Sequence, residues 1–282
     1  MAIIPSIEIE TKLQERLSAP MVWKEICDVV YTDSGILKNP YLTDSTQGSG
    51  TRGTGYTSTA IATVDDSVTI SDYIYSAEHI DDADLAQKTF SDFMEVADRM
   101  GTILNEGMET EMLSEHTQWT NFDNASIGGS AGSITVAITN IKNIIAAMKR
   151  EVREAGGADL AARNGYFIQW READFELVEL LASSEGFNTA DDALKNGIKQ
   201  GFKYLGVEHY SSSKHAAGHV FGGVKKAFMV GVVKSTYGRM KTLVNPVVGG
   251  AQISGVGLET RIDSKFNAWT NMVPVLFDIL VA

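Results

Sequence analysis

The chain has 282 residues, 44% hydrophobic and 21% charged, enough apolar material for a sizeable core in one large or two interlocked domains. A formal net charge of −12 argues against a dedicated nucleic-acid binder, because such proteins displace counterions from phosphate with Lys and Arg. The single cysteine, Cys27, excludes an intrachain disulfide or a thiolate zinc cage and reads as a small buried hydrophobe.

No apolar run reaches the roughly 18 residues needed to span a bilayer, since Lys225 and Lys226 interrupt one candidate and Asp278 the other. The N-terminal stretch lacks a basic region and meets Glu8 and Glu10 early, so no secretory signal is expected and synthesis in a cytoplasm is implied. Charge is unevenly placed. Up to Ser130 there are 22 acids against 7 bases, whereas the remainder carries 14 acids against 17 bases. Between His209 and Leu258 there is no acid, while Lys214, Lys225, Lys226, Lys234, Arg239 and Lys241 supply six bases. Halves of opposite sign can attract within or between subunits, although a charge run is equally often a solvated face.

In chain order, residues 1–38 read as an arm too small for its own core, with 11–17 helix-prone, Pro20 a break, and Trp23, Ile26, Val29 and Val30 spaced for a second short helix. Residues 39–59 are polar and rich in glycine, including Gly48, Gly50, Gly53 and Gly55. A phosphate-cradling loop is not implied, because no Gly-Lys-Ser/Thr follows. Residues 60–64 and 68–75 look like strands joined by a turn at Asp65, Asp66 and Ser67, together an extended hairpin projecting from a body.

Residues 81–116 carry the strongest signal. Asp81, Asp82 or Asp84 can cap a helix, and Leu85, Phe93, Val96, Ala97, Met100, Ile103, Leu104, Met108 and Met112 then recur at helical spacing. Such a helix would span about 54 Å at ~1.5 Å per residue, with Gly101 and Gly107 marking a bend or a close crossing. A small-residue linker at 124–133 suggests a boundary near 130. A second amphipathic helix follows through Ile134, Ile138, Ile141, Ile145, Met148 and Val152, ending at Gly156 and Gly157. Residues 166–170 read as a strand, 171–182 as a helix ending before Gly186, and 202–209 as another strand. Residues 217–233 alternate Gly with apolar residues in a way that periodicity leaves undecided, and 258–281 suggest strands closing a sheet.

Few residues group as chemistry requires. His215 and His219 stand four apart, with Glu208 and His209 nearby, and could share a metal; the Glu of an HExxH motif is missing and Gly218 disfavours a helix. Glu106, Glu109, Glu111 and Glu115 beside His116 lack the two Glu-x-x-His copies of a di-iron bundle and read as a solvated acidic face. Ser183, Ser184 and Ser211 to Ser213 lack a nucleophile elbow, and Cys27 has no neighbouring His. No catalytic, cofactor or metal residue is therefore expected.

The run from Val68 to Tyr73, then Ile80-Asp-Asp-Ala-Asp-Leu-Ala-Gln87, then the long helix, resembles tailed-bacteriophage major capsid proteins of the Hong Kong ninety-seven type. The resemblance implies an α+β capsid fold: an N-terminal arm at 1–38, an extended β-hairpin loop at 39–75, a peripheral domain at 76–130 and 241–282 with its spine helix at about 82–117, and an inserted axial domain at 131–240. It implies an icosahedral head shell, built in the host cytoplasm from hexamers and pentamers of this chain, enclosing double-stranded DNA through non-specific contact. A portal would be a partner, and assembly guidance would come from a separate scaffolding protein or from none, since the roughly hundred-residue scaffolding domain of some members has no room here. Some members cross-link subunits through a lysine of the extended loop; here Lys38 is the only lysine before Lys88 apart from Lys12 and Lys24, so covalent chain mail is not expected. An encapsulin-like nanocompartment shell is the nearest alternative, and a metal-dependent hydrolase using His209, His215 and His219 the different-class one.

Overall fold

In the computed structural model of the chain, residues 21–43, 48–53, 55, 58, 60–81, 90–184, 201–244, 247–248, 251–252 and 254–282 are described. The helix expected at 11–17, part of the glycine-rich stretch, the first turns expected of the long helix and Gly186 lie outside the described residues.

Helix α1 (Trp23–Ile26) is a single turn, and strand β1 (Asp28–Thr32) follows at once. The short helix expected through Val30 is thus corrected. Val29, Val30 and Thr32 are β-branched and stiff at χ1, which favours the pleated ladder. Strands β2 (Ile36–Lys38) and β3 (Tyr41–Leu42) then run outward, and β4 (Thr63–Val64) and β5 (Ser67–Thr69) return. Leu37 faces Val68 and Tyr41 faces Val64 across this antiparallel ribbon. Residues 60–64 and 68–69 are therefore successive pieces of one arm, not the two arms of a hairpin as expected, and residues 72–75 pair elsewhere, with 261–264. The opposite arm breaks at Asn39-Pro40, since proline has no N–H to donate, and Asp65-Asp66 fills the matching gap with the Asp66 carbonyl accepting from Asn39 at 2.8 Å.

Strand β6 (Asp72–Asp81) leads toward helix α2 (Phe90–Ser114). Asp81 pairs with Gly255 at the end of this strand, while Asp82, Asp84 and the start expected of the helix lie outside the described residues. The described helix spans about 37 Å. Met100, Leu104, Met108 and Met112 form its buried stripe, one residue per turn. Gly107 marks the close crossing expected of it: a Cβ there would lie 2.8 Å from Ile74 Cγ2 on β6. The helix closes in a 3-10 turn (Glu115–Gln118) before β7 (Thr120–Phe122).

Helix α3 (Ile141–Glu154) begins later than its apolar spacing suggests. The Asn140 side chain accepts from Ala137 N and donates to Thr135 O, holding the preceding residues in a turn, and Ile134 only bridges Val281. Helix α4 (Ala158–Asn164), strand β8 (Tyr166–Arg171) and helix α5 (Glu172–Ser184) follow. The single strand expected at 202–209 is instead a hairpin of β9 (Phe202–Tyr204) and β10 (Val207–Ser212), because Leu205 at φ 50° and Gly206 at φ 74° make a two-residue turn.

The undecided residues 217–233 are two strands, β11 (His219–Val224) and β12 (Phe228–Val233), with Lys226 at φ 64° between them. Their glycines are explained by close approach: at Gly223, φ 148°, a Cβ would lie 2.4 Å from the Val275 carbonyl oxygen. Strands β13 (Met240–Val244), β14 (Val247–Val248), β15 (Ala251–Gln252), β16 (Gly255–Ala268) and β17 (Leu276–Leu280) complete the chain.

Two sheets result. In one, β16 pairs along its length with β6 and on its other side with β12 and β13, while β1 runs parallel to β12 at the edge. In the other the order is β7-β17-β11-β8-β10-β9. The C-terminal strands, expected together beside the long helix, part company: β16 joins that sheet, whereas the Val273–Val275 3-10 turn redirects β17 between β7 and β11. Likewise β12 lies beside β16, although the residues before it build the six-stranded sheet. One aromatic stack crosses between the sheets. Trp119 stacks on Phe221 at 3.6 Å, Phe221 meets Phe228 edge-on, and Phe228 stacks on Phe266 at 6.0 Å.

Candidate functional site

The histidines separate. His209 is fully buried on β10; Trp170 Nε1 donates to its Nδ1 at 2.9 Å, leaving Nε2–H to face the Tyr204 carbonyl at 3.3 Å. Burial holds its pKa down at about 4, so the ring is a neutral core group with both nitrogens occupied. Burial, with Arg171 adding to it, lowers His215 to about 3, and its Nε2 has no hydrogen-bond partner. The trio His209, His215 and His219 forms no metal cluster among the described residues.

His219 is joined instead to residues remote in sequence. Its Nδ1 lies 2.9 and 2.8 Å from the two carboxylate oxygens of Asp278, and His116 Nδ1 lies 3.5 Å from Asp278 Oδ2. The two imidazoles stack at 3.9 Å between centroids, 28° from parallel. His116 sits on the 3-10 turn that ends the long helix, His219 opens β11, and Asp278 is the middle residue of β17. Spacing along the chain could not have found this group. One signal was present: Asp278 is a lone acid in Leu-Phe-Asp-Ile-Leu, where burial demands a partner.

The acidic residues of α2 likewise diverge. Glu106 pairs with Lys214 at 3.7 Å, Glu111 accepts from Ser264 Oγ at 3.5 Å, and Glu115 pairs with Lys265 at 3.2 Å. Glu109, fully buried, accepts from Val22 N, Trp23 N and Gln169 Nε2. The acidic face expected to be solvated is thus tied into the fold, and no di-iron arrangement exists among these carboxylates. Ser184 Oγ donates to the Leu181 carbonyl at the end of α5, and Ser212 Oγ accepts from Lys214 N. Cys27 Sγ contacts Met112 Sδ at 3.4 Å, and burial pushes its thiol well up, so it is an inert core residue as expected.

What the described surface offers is an extended, partly apolar exterior. Ile36, Leu42, Ile61 and Val64 are exposed on or beside the β2–β5 ribbon, Tyr73 and Tyr75 on β6, and Val244 and Val247 at the end of β13 and on β14. Lys234 pairs with Asp33 at 3.5 Å, so with Lys214–Glu106 the basic and acidic halves do meet within one subunit. No described helix is long and apolar enough to cross a membrane.

No protein-family model matches the chain, and no curated protein matches it in sequence. Among solved structures it is similar to one from Mycobacterium phage Che8, at 13% identity and a TM-score of 0.71, over 98% of this chain and 97% of that one. It is similar to the asymmetric unit of the bacteriophage PhiM1 mature capsid, at 12% identity and a TM-score of 0.64, over 97% and 91%. A virus-like particle from Pyrococcus furiosus is similar at 8% identity and a TM-score of 0.55, over 92% of both chains. The chain therefore has the α+β fold of phage capsid structures, the fold that the resemblance in residues 68–116 implies.

Proposed function

We propose that this chain is a major capsid protein, a structural subunit that self-assembles through hexamers and pentamers into the icosahedral head of a tailed phage and encloses its double-stranded DNA. The observation that carries the reading is the fold, similar over nearly its whole length to phage capsid structures. Supporting it, the β2–β5 ribbon is only two strands wide and exposes Ile36, Leu42 and Val64. An isolated two-stranded ribbon is marginal in water, and lying across a neighbouring copy would supply the missing burial. In a closed shell each such contact is repeated by symmetry, so modest interfaces sum to a stable particle.

In this reading the expected regions are an arm at 1–38, a loop at 39–75 reaching a neighbour, a peripheral layer built on the long helix at 76–130 and 241–282, and an axial unit at 131–240, adjusted so that β12 goes with the peripheral layer and β7 and β17 with the axial unit. Portal and scaffolding protein are its further partners, the virion its location after assembly in the host cytoplasm. DNA is held without base-specific contact, as a net charge of −12 favours loose containment over tight binding. The chain acts by geometry, and catalysis has no part in it.

The likeness to the Pyrococcus furiosus particle keeps a nanocompartment shell as the second reading. Purified chain, concentrated and viewed by size-exclusion chromatography and negative-stain microscopy, should give hexamers, pentamers or closed shells. A compact monomer at high concentration would overturn the proposal. Particles from infected cells that enclose DNA support the phage head; particles that enclose only a protein cargo favour the nanocompartment.

A further inference from the structure

Asp278 is a buried carboxylate on an interior strand, flanked by Phe277 and Ile279, both buried. A charge in such a place needs compensation, and the groups the structure brings to it are two imidazoles. Both approach through Nδ1, both toward the same carboxylate, and they stack face to face. Imidazole nitrogens and a carboxylate oxygen are the donor set that a zinc-type dication takes, and here three such groups converge.

The distances lie within about half an ångström of what such an ion needs. Donors about 2.0–2.1 Å from a tetrahedral zinc-type ion lie about 3.3 Å from one another. The observed Nδ1 to carboxylate separations, 2.8 and 2.9 Å for His219 and 3.5 Å for His116, bracket that span. All three residues offer a ligand atom within 4.8 Å of one another. The imidazole side chains are about a quarter exposed, at 24% and 26%, so an ion can reach the group from solvent and keep a water as its fourth ligand.

We propose that His116, His219 and Asp278 bind one divalent transition-metal ion of the zinc type. Two nitrogen ligands and one oxygen select against Mg²⁺ and Ca²⁺, which take oxygen donors. The ligands come from the end of the long helix, from β11 and from β17, so the ion clasps the helix to the six-stranded sheet. This departs from the sequence expectation of no metal. It does not rest on shell formation, because the site lies within one chain and can be read in unassembled protein or in particles alike.

The test is a Co²⁺ titration of the EDTA-treated full chain, read by the visible absorption of a tetrahedral complex, with the Zn²⁺ dependence of Tm in parallel. The expected result is one Co²⁺ per chain, a Tm that rises with Zn²⁺, and no response to Mg²⁺. His116→Ala, His219→Ala and Asp278→Asn should each weaken Co²⁺ binding at least ~10-fold, the lower end of what even outer-shell partners are worth, while His79→Gln on β6 leaves it unchanged. His116→Asn, partly exposed and of similar reach, serves if another variant fails to fold. Absence of the Co²⁺ bands, or binding that survives in both His116 variants and in His219→Ala, would overturn the proposal.

Discussion

Glu109 Oε2 accepts the backbone N–H of Trp23 at 3.0 Å across 86 residues, so a carboxylate in the middle of the long helix holds the start of the described chain. Oε2 also accepts from Val22 N at 3.2 Å and Oε1 from Gln169 Nε2, joining α1, α2 and β8 at one side chain. Glu109→Ala leaves three buried donors unpaired at roughly 1–3 kcal/mol each, an expected loss on the order of 3 kcal/mol or more. Urea unfolding should show the lower midpoint, and limited proteolysis should cut first near Trp23, the residue released.

Gly223 and Gly48 form a matched pair for a second test. A Cβ at Gly223 meets the Val275 carbonyl at 2.4 Å with φ at 148°, whereas nothing lies within 4 Å of one at Gly48. Gly223→Ala should cost about 2–4 kcal/mol from overpacking and backbone strain. Gly48→Ala should stay within about 0.5 kcal/mol of the parent. Thermal melts of the two variants decide it, and similar Tm values would mean that the β11 contact yields freely.

Glu111 supplies a pH dependence of defined sign. Burial, with the nearby Asp72 and Glu115 adding to it against Lys265 and the Ser264 hydroxyl, raises its pKa from 4.5 to about 7. Between these values the native state keeps a proton that the unfolded chain has released. Stability contributed at low pH is therefore lost as pH climbs from about 4.5 through about 7. Glu111→Gln should be nearly silent at pH 5 and stabilising at pH 8, measured by denaturant unfolding at both; equal effects at the two pH values would contradict the assignment.

The ribbon makes a prediction about covalent chemistry. Lys38 is exposed and lies 3.5 Å from Asp65 of the same chain, and no other lysine occurs between it and Lys88. Particles boiled in denaturant should run as monomers on a gel. A ladder of cross-linked species, abolished in Lys38→Arg, would show that this lysine leaves Asp65 for a neighbour.

The sequence made the helices legible wherever a stripe repeats over several turns. Met100, Leu104, Met108 and Met112 announced the long helix, and Ile141, Ile145, Met148 and Val152 announced α3, because 3.6-residue periodicity is a local property. Strand partners were not legible, since a ladder is a decision between distant segments. Val68 could as well have paired backward across Asp65-Asp66 as with Leu37, and only the proline at position 40 hinted at where the matching gap lay. The glycines of 217–233 stayed ambiguous for the same reason, as their neighbours on β17 lie about fifty residues away. The His116, His219 and Asp278 group was hidden entirely by distance along the chain, and the pairing expected of His219 with His215 was drawn from spacing alone.

Strand β17 lies in the interior of its sheet, hydrogen-bonded on one side to residues 120–122 and on the other to residues 219–223. A chain emerging from the ribosome cannot zip this sheet until residue 280 is free, and until then the flanks of β7 and β11 stay open. Loop closure over some 155 residues makes this a late and slow event. Strand β17 thus works as a keystone: taking it out would split β7 from the other four strands and leave two bare backbone edges facing each other.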